Sequence, residues 1–279
     1  MFLSLFTFLA FTYLAEANLG IDPNSTTNYH TRQAGRCNTD LSPININTKR
    51  CKQKNFNRDF RWYNHSGSLQ MLNTGVTVQV PYMRTDERPF ITGGPLGLKE
   101  YNHLNTHFHW GATDTKGSEH SINGVFGPLE THFVYVNRKY STLEKGLEHN
   151  DGVAVVVVMY KLSTSDNPDL SGILDGVNSV QLTAGDSTTL ETDSLDFAVR
   201  KVFSRKHFYS YLGSLTGGQP VPPCTKSVKI LVMKKLVPIS SAQVNAFRGV
   251  KDVNGISILS NRMEIQPLNG RRVICSGCL

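Results

Sequence analysis

The sequence predicts a mainly β fold, a single domain with a large, mostly antiparallel central sheet and short peripheral helices. Strand-length apolar runs recur between turn residues, helical periodicity is weak, and the 23 glycines suit a loop-rich β architecture. Leu69 to Val80 alternates apolar and polar residues around Asn73-Thr74-Gly75, which marks a turn or bulge. Asn102 to Trp110 reads as a strand of mixed character and Leu129 to Val136 as another. Val153 to Leu162 is almost continuously apolar, the pattern of a strand buried on both faces, and Val228 to Val237 is similar. Short helices are expected near Ile173 to Val180 and Ser241 to Phe247.

The chain has 279 residues, no internal repeat and no linker-like block, enough for one substantial core. Residues 1–17 stand apart as a leader. Phe2 to Phe11 forms an apolar h-region and Ala15-Glu16-Ala17 a small-x-small cleavage pattern, although the n-region carries no Lys or Arg. Residues 18–36 read as an irregular polar arm and residues 37–279 as the functional domain. No later segment is apolar enough to span a membrane, and the C-terminus lacks the apolar tail of a lipid-anchor signal, so the chain reads as secreted.

On that oxidising route Cys37, Cys51, Cys224, Cys275 and Cys278 are disulfide candidates before they are metal ligands, and the odd count leaves one over. Asn24-Ser25-Thr26 and Asn64-His65-Ser66 are glycosylation sequons. The formal net charge is +7. Lys and Arg read as scattered, with Lys234-Lys235 and Arg271-Arg272 as isolated pairs. That points away from a nucleic-acid partner and leaves attraction to an anionic surface open.

The chemistry concentrates in Thr106-His107-Phe108-His109-Trp110-Gly111. Successive strand side chains alternate faces, so His107 and His109 share one face and Phe108 takes the other. Alone, such a pair is often only packed core. The following strand adds His132, and three imidazoles leave the fourth tetrahedral position of a zinc ion open to water, as a catalytic site requires. Between these strands lies Glu119, in Gly117-Ser118-Glu119-His120. A buried carboxylate of this kind needs a hydrogen-bond partner.

These segments, with Glu130-x-His132, Gly213-Ser214-Leu215-Thr216, Leu41-Ser42-Pro43-Ile44-Asn45-Ile46 and Gln266-Pro267-Leu268, resemble the successive signature blocks of alpha carbonic anhydrases of the extracellular type. The blocks keep order and near-family spacing from about Cys37 to Arg272. The resemblance implies zinc held by His107, His109 and His132, with Asn105, the backbone of Asn261 and Glu130 orienting the three rings. It implies that Thr216 accepts a hydrogen bond from the attacking oxygen and donates its own proton to Glu119. Carbon dioxide would rest against Val134, Val155, Leu215, Val228 and Ile230. The implied reaction is reversible hydration of carbon dioxide to bicarbonate and a proton, with sulfonamides and small anions as inhibitors. His120 reads as a hydrogen-bonded core residue rather than a ligand. The extracellular resemblance also implies a Cys37–Cys224 disulfide and leaves Cys51 as a partner for Cys275 or Cys278.

Several positions depart from the family pattern. Val76 stands where fast members carry a proton-shuttling histidine. Gly217 replaces a second threonine, Gln219-Pro220-Val221 reads as an insertion, and Ile230 replaces a pocket tryptophan. An N-terminal aromatic cluster is reduced to Tyr29 and His30. These departures imply a slower or specialised enzyme. The alternative is a secreted, non-catalytic or weakly catalytic relative acting as a matrix, venom or adhesion protein, although silent members typically lose a ligand histidine and this chain keeps three.

Overall fold

The computed structural model describes residues 41–56, 59–63, 69–82, 88–191, 193–199, 201–203, 206–216 and 228–277. The expected leader and arm, Cys37, Cys224, Asn24, Asn64, Gly217 and the 219–221 insertion lie outside the described residues. The strands are β1 (Asn45–Ile46), β2 (Lys52–Gln53), β3 (Arg61–Tyr63), β4 (Leu69–Asn73), β5 (Val78–Pro81), β6 (Phe90–Thr92), β7 (Tyr101–Trp110) and β8 (Ser121–Ile122). They continue with β9 (Val125–Phe126), β10 (Leu129–Asn137), β11 (Val153–Ser163), β12 (Ser187–Leu190), β13 (Phe208–Gly213), β14 (Val228–Met233), β15 (Val237–Ser240) and β16 (Ile274–Cys275). Thirteen of them form one sheet, whose main path runs β12-β4-β5-β7-β10-β11-β14-β13-β16-β2. Its ladders are mostly antiparallel. The parallel exceptions are β11 with β14, β11 with β15, and β16 with β2.

Local sequence explains the elements. Asn73 caps the turn after β4 by accepting the Gly75 N–H at 2.9 Å, and Gly75 takes a φ of 80° that a β-carbon would strain. The helices Ser171–Val180 and Ser241–Arg248 lie where the weak periodicity placed them. The second opens on a capping box between Ser240 and Gln243. The apolar run from Val228 to Val237 is not one strand. It breaks at Lys234-Lys235, whose ammonium groups cannot follow β14 into the core, and β15 pairs with the far end of β11 instead.

The central strands β10 and β11 are buried on both faces, so their alternate residues feed two cores. One core takes Phe108, Trp110, Phe133, Tyr135, Val156 and Val158. The other takes Val134, Val155, Val157, Tyr209, Tyr211, Val228 and Ile230, and the polar site lies on this second face. A Cys51–Cys275 disulfide joins β16 to the start of β2, with α-carbons 5.7 Å apart. Among the described residues no helix is long and apolar enough to cross a membrane.

Candidate metal centre

The register of four strands assembles the site. β7 and β10 run antiparallel with His107 opposite His132 and His109 opposite Glu130. β11 sets Val157 beside His132 and Val155 beside Val134, and β14 then sets Ile230 beside Val155. With a side-chain period of two, all of these fall on one face. The rings of His107, His109 and His132 lie with centroids 4.6–5.2 Å apart, and one donor nitrogen from each lies within 4.8 Å of the other two.

The opposite nitrogen of each ring is already engaged. His107 Nδ1 donates to Asn105 Oδ1 at 3.0 Å, His109 Nδ1 to the Asn261 carbonyl at 3.3 Å, and His132 Nε2 to Glu130 Oε1 at 2.6 Å. Asn261 is itself fixed to β7, since its side chain accepts the Trp110 N–H and donates to the Phe108 carbonyl. These bonds select the tautomers that leave Nε2 of His107, Nε2 of His109 and Nδ1 of His132 as lone-pair donors. Burial, reinforced by the neighbouring imidazoles, pushes the His107 pKa well below its ordinary value. Burial also lowers that of His109, against the opposing charge of Glu119. For His132 burial acts downward too, but the hydrogen bond and charge of Glu130, with the charge of Glu119, carry the net shift upward.

Glu130 is fully buried and accepts three hydrogen bonds: from His132 Nε2, from His120 Nδ1 at 2.7 Å, and from the His120 main-chain N–H at 2.9 Å. Burial alone would raise its pKa, yet His120 and His132 hold it well below the carboxylate range. His120, Glu130 and His132 therefore form a hydrogen-bonded triad, although their donor atoms are also close enough to hold an ion. The chain continues from His120 Nε2 to the Tyr211 hydroxyl at 2.7 Å and on to Ser42 Oγ at 2.9 Å. Ser42 and Ser214 exchange reciprocal bonds of 3.0 and 3.2 Å, which fixes the segment leading to Thr216. Gly213 makes this approach possible, because a β-carbon there would stand 2.1 Å from Ser42 Oγ.

A cavity of about 90 Å³ opens on this face. His107, His132, Asn105 and Thr216 border it on the polar side, and Val134, Val155, Leu215 and Ile230 on the apolar side. Val228 belongs to the same apolar cluster but does not line the cavity. Leu143, Val157, Ser42, Ser214 and His120 line it without having been singled out as pocket residues from the sequence. The two-residue period from Val155 could have flagged Val157, but nothing local marks the others.

Glu119 is fully buried; its Oε1 accepts the Met263 N–H at 2.9 Å and lies 3.3 Å from His109 Nδ1. Its Oε2, 3.7 Å from His132 Nε2, and the Thr216 hydroxyl are both buried without a hydrogen-bond partner, so the Thr216–Glu119 hydrogen bond implied by the resemblance is not formed in this structure. His109 Nε2 is a third buried polar atom without a partner. An unsatisfied buried lone pair on a ring whose other nitrogen is pinned, beside two more such rings, is the donor set a zinc ion requires. The residues fit the metal.

A profile of the family described as eukaryotic-type carbonic anhydrase matches residues 25–277. Carbonic anhydrase 1 of Oryctolagus cuniculus is 33% identical over 248 residues, covering 84% of this chain and 98% of that protein. Carbonic anhydrase 15 of Mus musculus is 31% identical over 245 residues, covering 84% of this chain and 74% of its own length. With the metal-ligand geometry and the sheet that carries it, these matches make the chain a member of the eukaryotic-type alpha carbonic anhydrase family.

Proposed function

We propose that this protein catalyses the zinc-dependent, reversible hydration of carbon dioxide to bicarbonate and a proton. The observation that carries the proposal is the set of three convergent imidazoles, each with its opposite nitrogen held by an acceptor, opening on a cavity with an apolar wall. A zinc ion held by His107, His109 and His132 supplies Lewis acidity that brings the pKa of water near 7, a property for which carbonic anhydrase is itself the standard example.

The chain's own residues do the rest. Val134, Val155, Leu215 and Ile230, with Leu143 and Val157, offer a neutral apolar triatomic a surface from which water is excluded. The same wall gives no hydrogen bond to an anion, which favours loss of bicarbonate. Thr216 is a donor and an acceptor at once. Donating to the unpartnered Oε2 of Glu119 obliges its oxygen to accept from the attacking species, which orients that species toward the substrate carbon. The Met263 N–H anchors Glu119 for this role. Sulfonamides and small anions are the expected inhibitors, since both bring an anionic donor to the same imidazole cluster.

An extracellular setting is part of the same reading. It is supported by the Cys51–Cys275 disulfide and by the leader-like residues 1–17. The test is carbon dioxide hydration before and after chelation, with zinc then restored. Activity is expected to vanish and return. Full activity in a preparation verified free of metal refutes the proposal, and a zinc-replete protein without activity returns the chain to the scaffold class.

A further inference from the structure

Basic residues concentrate at one edge of the main sheet. Lys49, Arg50, Lys52 and Lys54 fall within six consecutive residues that include β2, the terminal strand of the main sheet path. The main-chain N–H groups of Lys52 and Lys54 donate to the carbonyls of Val273 and Cys275, so β16 runs parallel beside them with Ile274 opposite Lys52. Arg272 directly precedes Val273, whose carbonyl accepts the Lys52 N–H, and so joins the same edge. The Cys51–Cys275 disulfide pins the two segments together. Residues 41–56 and 265–277 together contain six Lys or Arg and no Asp or Glu.

All five of Lys49, Arg50, Lys52, Lys54 and Arg272 are exposed. None forms an ion pair among the described residues. Elsewhere such pairs are common: Lys99 with Asp151, Lys201 with Asp169, Lys206 with Asp59, Arg248 with Asp114. Lys52 and Lys54 share a face of the strand, roughly 7 Å apart along it. Lys54 lies 5.2 Å over the Phe56 ring, which itself packs on Phe208. Edge lysines also discourage strand-to-strand pairing, but that purpose does not call for excluding every carboxylate from two converging segments.

We propose that this disulfide-pinned edge, Lys49-Arg50-Cys51-Lys52-Gln53-Lys54 with Arg272, is a binding surface for a sulfated polysaccharide. A dense basic tract is the footprint of a polyanion partner. The disulfide within the tract belongs to the compartment where sulfated polysaccharide, not nucleic acid, is the abundant polyanion. The choice of polyanion rests on the extracellular reading. The surface itself is independent of the proposed catalysis, because none of its residues lines the cavity.

The test uses the oxidised full-length protein on a heparin column and on a plain sulfopropyl column. Three forms are compared: the native protein, a tract variant (K49Q, R50Q, K52Q, K54Q), and a control carrying the same charge change on other exposed lysines (K139Q, K145Q, K161Q, K235Q). The native protein is expected to need more salt to leave heparin than sulfopropyl. The tract variant should lose that difference and the control keep it. Plotted as log affinity against log salt, the tract variant's slope should fall by roughly one per cation removed, as for backbone contacts to nucleic acid. Co-elution of both variants from heparin, or no heparin preference in the native protein, overturns the proposal. Duplex DNA that competes as well as heparin per charge overturns the choice of partner. Should the tract variant not fold, lysine acetylation of the native protein decides: bound heparin must shield Lys49, Lys52 and Lys54 and leave Lys161 and Lys235 reactive, and uniform labelling refutes the site.

Discussion

Replacing Glu130 with glutamine tests whether hydrogen bonding sets the metal-binding tautomer. All three groups that face this carboxylate are donors. A glutamine must present its NH₂ group to at least one of them. If NH₂ meets the His120 main-chain N–H, two donors collide at a position that cannot change tautomer. If it meets the rings, both imidazoles must turn over, and His132 then carries its proton on Nδ1, the nitrogen needed by the metal. A hydrogen bond to a charged acceptor contributes about 1.5–3 kcal/mol. At about 1.36 kcal/mol per decade, the loss is about 10- to 150-fold in zinc affinity. Asn105→Ala removes a neutral bond of about 1 kcal/mol and should cost about five-fold. The assay is zinc competition against a chelator of known affinity, with the melting temperature of the metal-free protein recorded alongside to separate metal loss from unfolding. Equal affinities for Glu130→Gln and Asn105→Ala, with both proteins folded, would refute the tautomer argument.

Further outcomes follow from the same geometry. Thr216→Val keeps the shape but removes the hydroxyl, so hydration should fall by on the order of 10²-fold while zinc content stays native; a parallel loss of zinc would assign Thr216 to the metal instead. Val76→His should raise turnover in weak buffer and reduce its dependence on added imidazole, with kcat/KM nearly unchanged; fast, buffer-independent turnover in the native protein would place the proton route elsewhere. The Cys51–Cys275 bridge spans 224 residues, nominally about 5 kcal/mol of chain entropy, so Cys51→Ser should lower the melting temperature by roughly 10 °C or more; a non-reducing peptide map should also join Cys37 to Cys224. The hydrogen bond from Lys99 chiefly holds the Asp151 carboxyl below its ordinary pKa, with Tyr140 contributing. Its stabilisation is present above about pH 4, the unfolded value, and lost as pH falls through the lowered folded value. Asp151→Asn should therefore be less stable than native at pH 6 and approach it near pH 3, and a constant difference would count against the pair.

What the sequence disclosed depended on how far apart the cooperating residues lie. His107, His109 and His132 were legible because strand alternation fixes the first two and antiparallel neighbours bring the third opposite. The broken run at Lys234-Lys235 was misread as continuous because a two-residue charge pair scarcely disturbs apolar periodicity. The partner of Cys51 was open because connectivity does not follow from spacing. Lys49, Arg50, Lys52 and Lys54, on either side of Cys51, already held most of the basic edge in the sequence, and what the fold adds is β16 beside them with Arg272.

The site has a rigid half and a half that depends on remote contacts, and the two have different origins. The ligand half is carried by β7 and β10, whose ladder continues unbroken past all three histidines and shifts only after Val134. A single register choice therefore places every ring. The substrate half hangs on bonds between residues 169 to 172 positions apart, from Ser42 to Tyr211 and Ser214. No local propensity encodes those bonds. Only the packed sheet brings Ser42 beside Gly213, and the absence of a side chain there admits it. The same network runs through His120 and Glu130 to His132, so the wall that would orient the substrate and the ligand that would hold the metal share one chain of donors and acceptors. Its direction is fixed from one end. The ionised Glu130 carboxylate can only accept, so His120 donates from Nδ1, its Nε2 accepts from the Tyr211 hydroxyl, and the Tyr211 oxygen is left to accept from Ser42 Oγ. The candidate ligand His132 and the wall residues around Ser42 are thus joined through one tautomer of His120, which the Glu130 carboxylate sets.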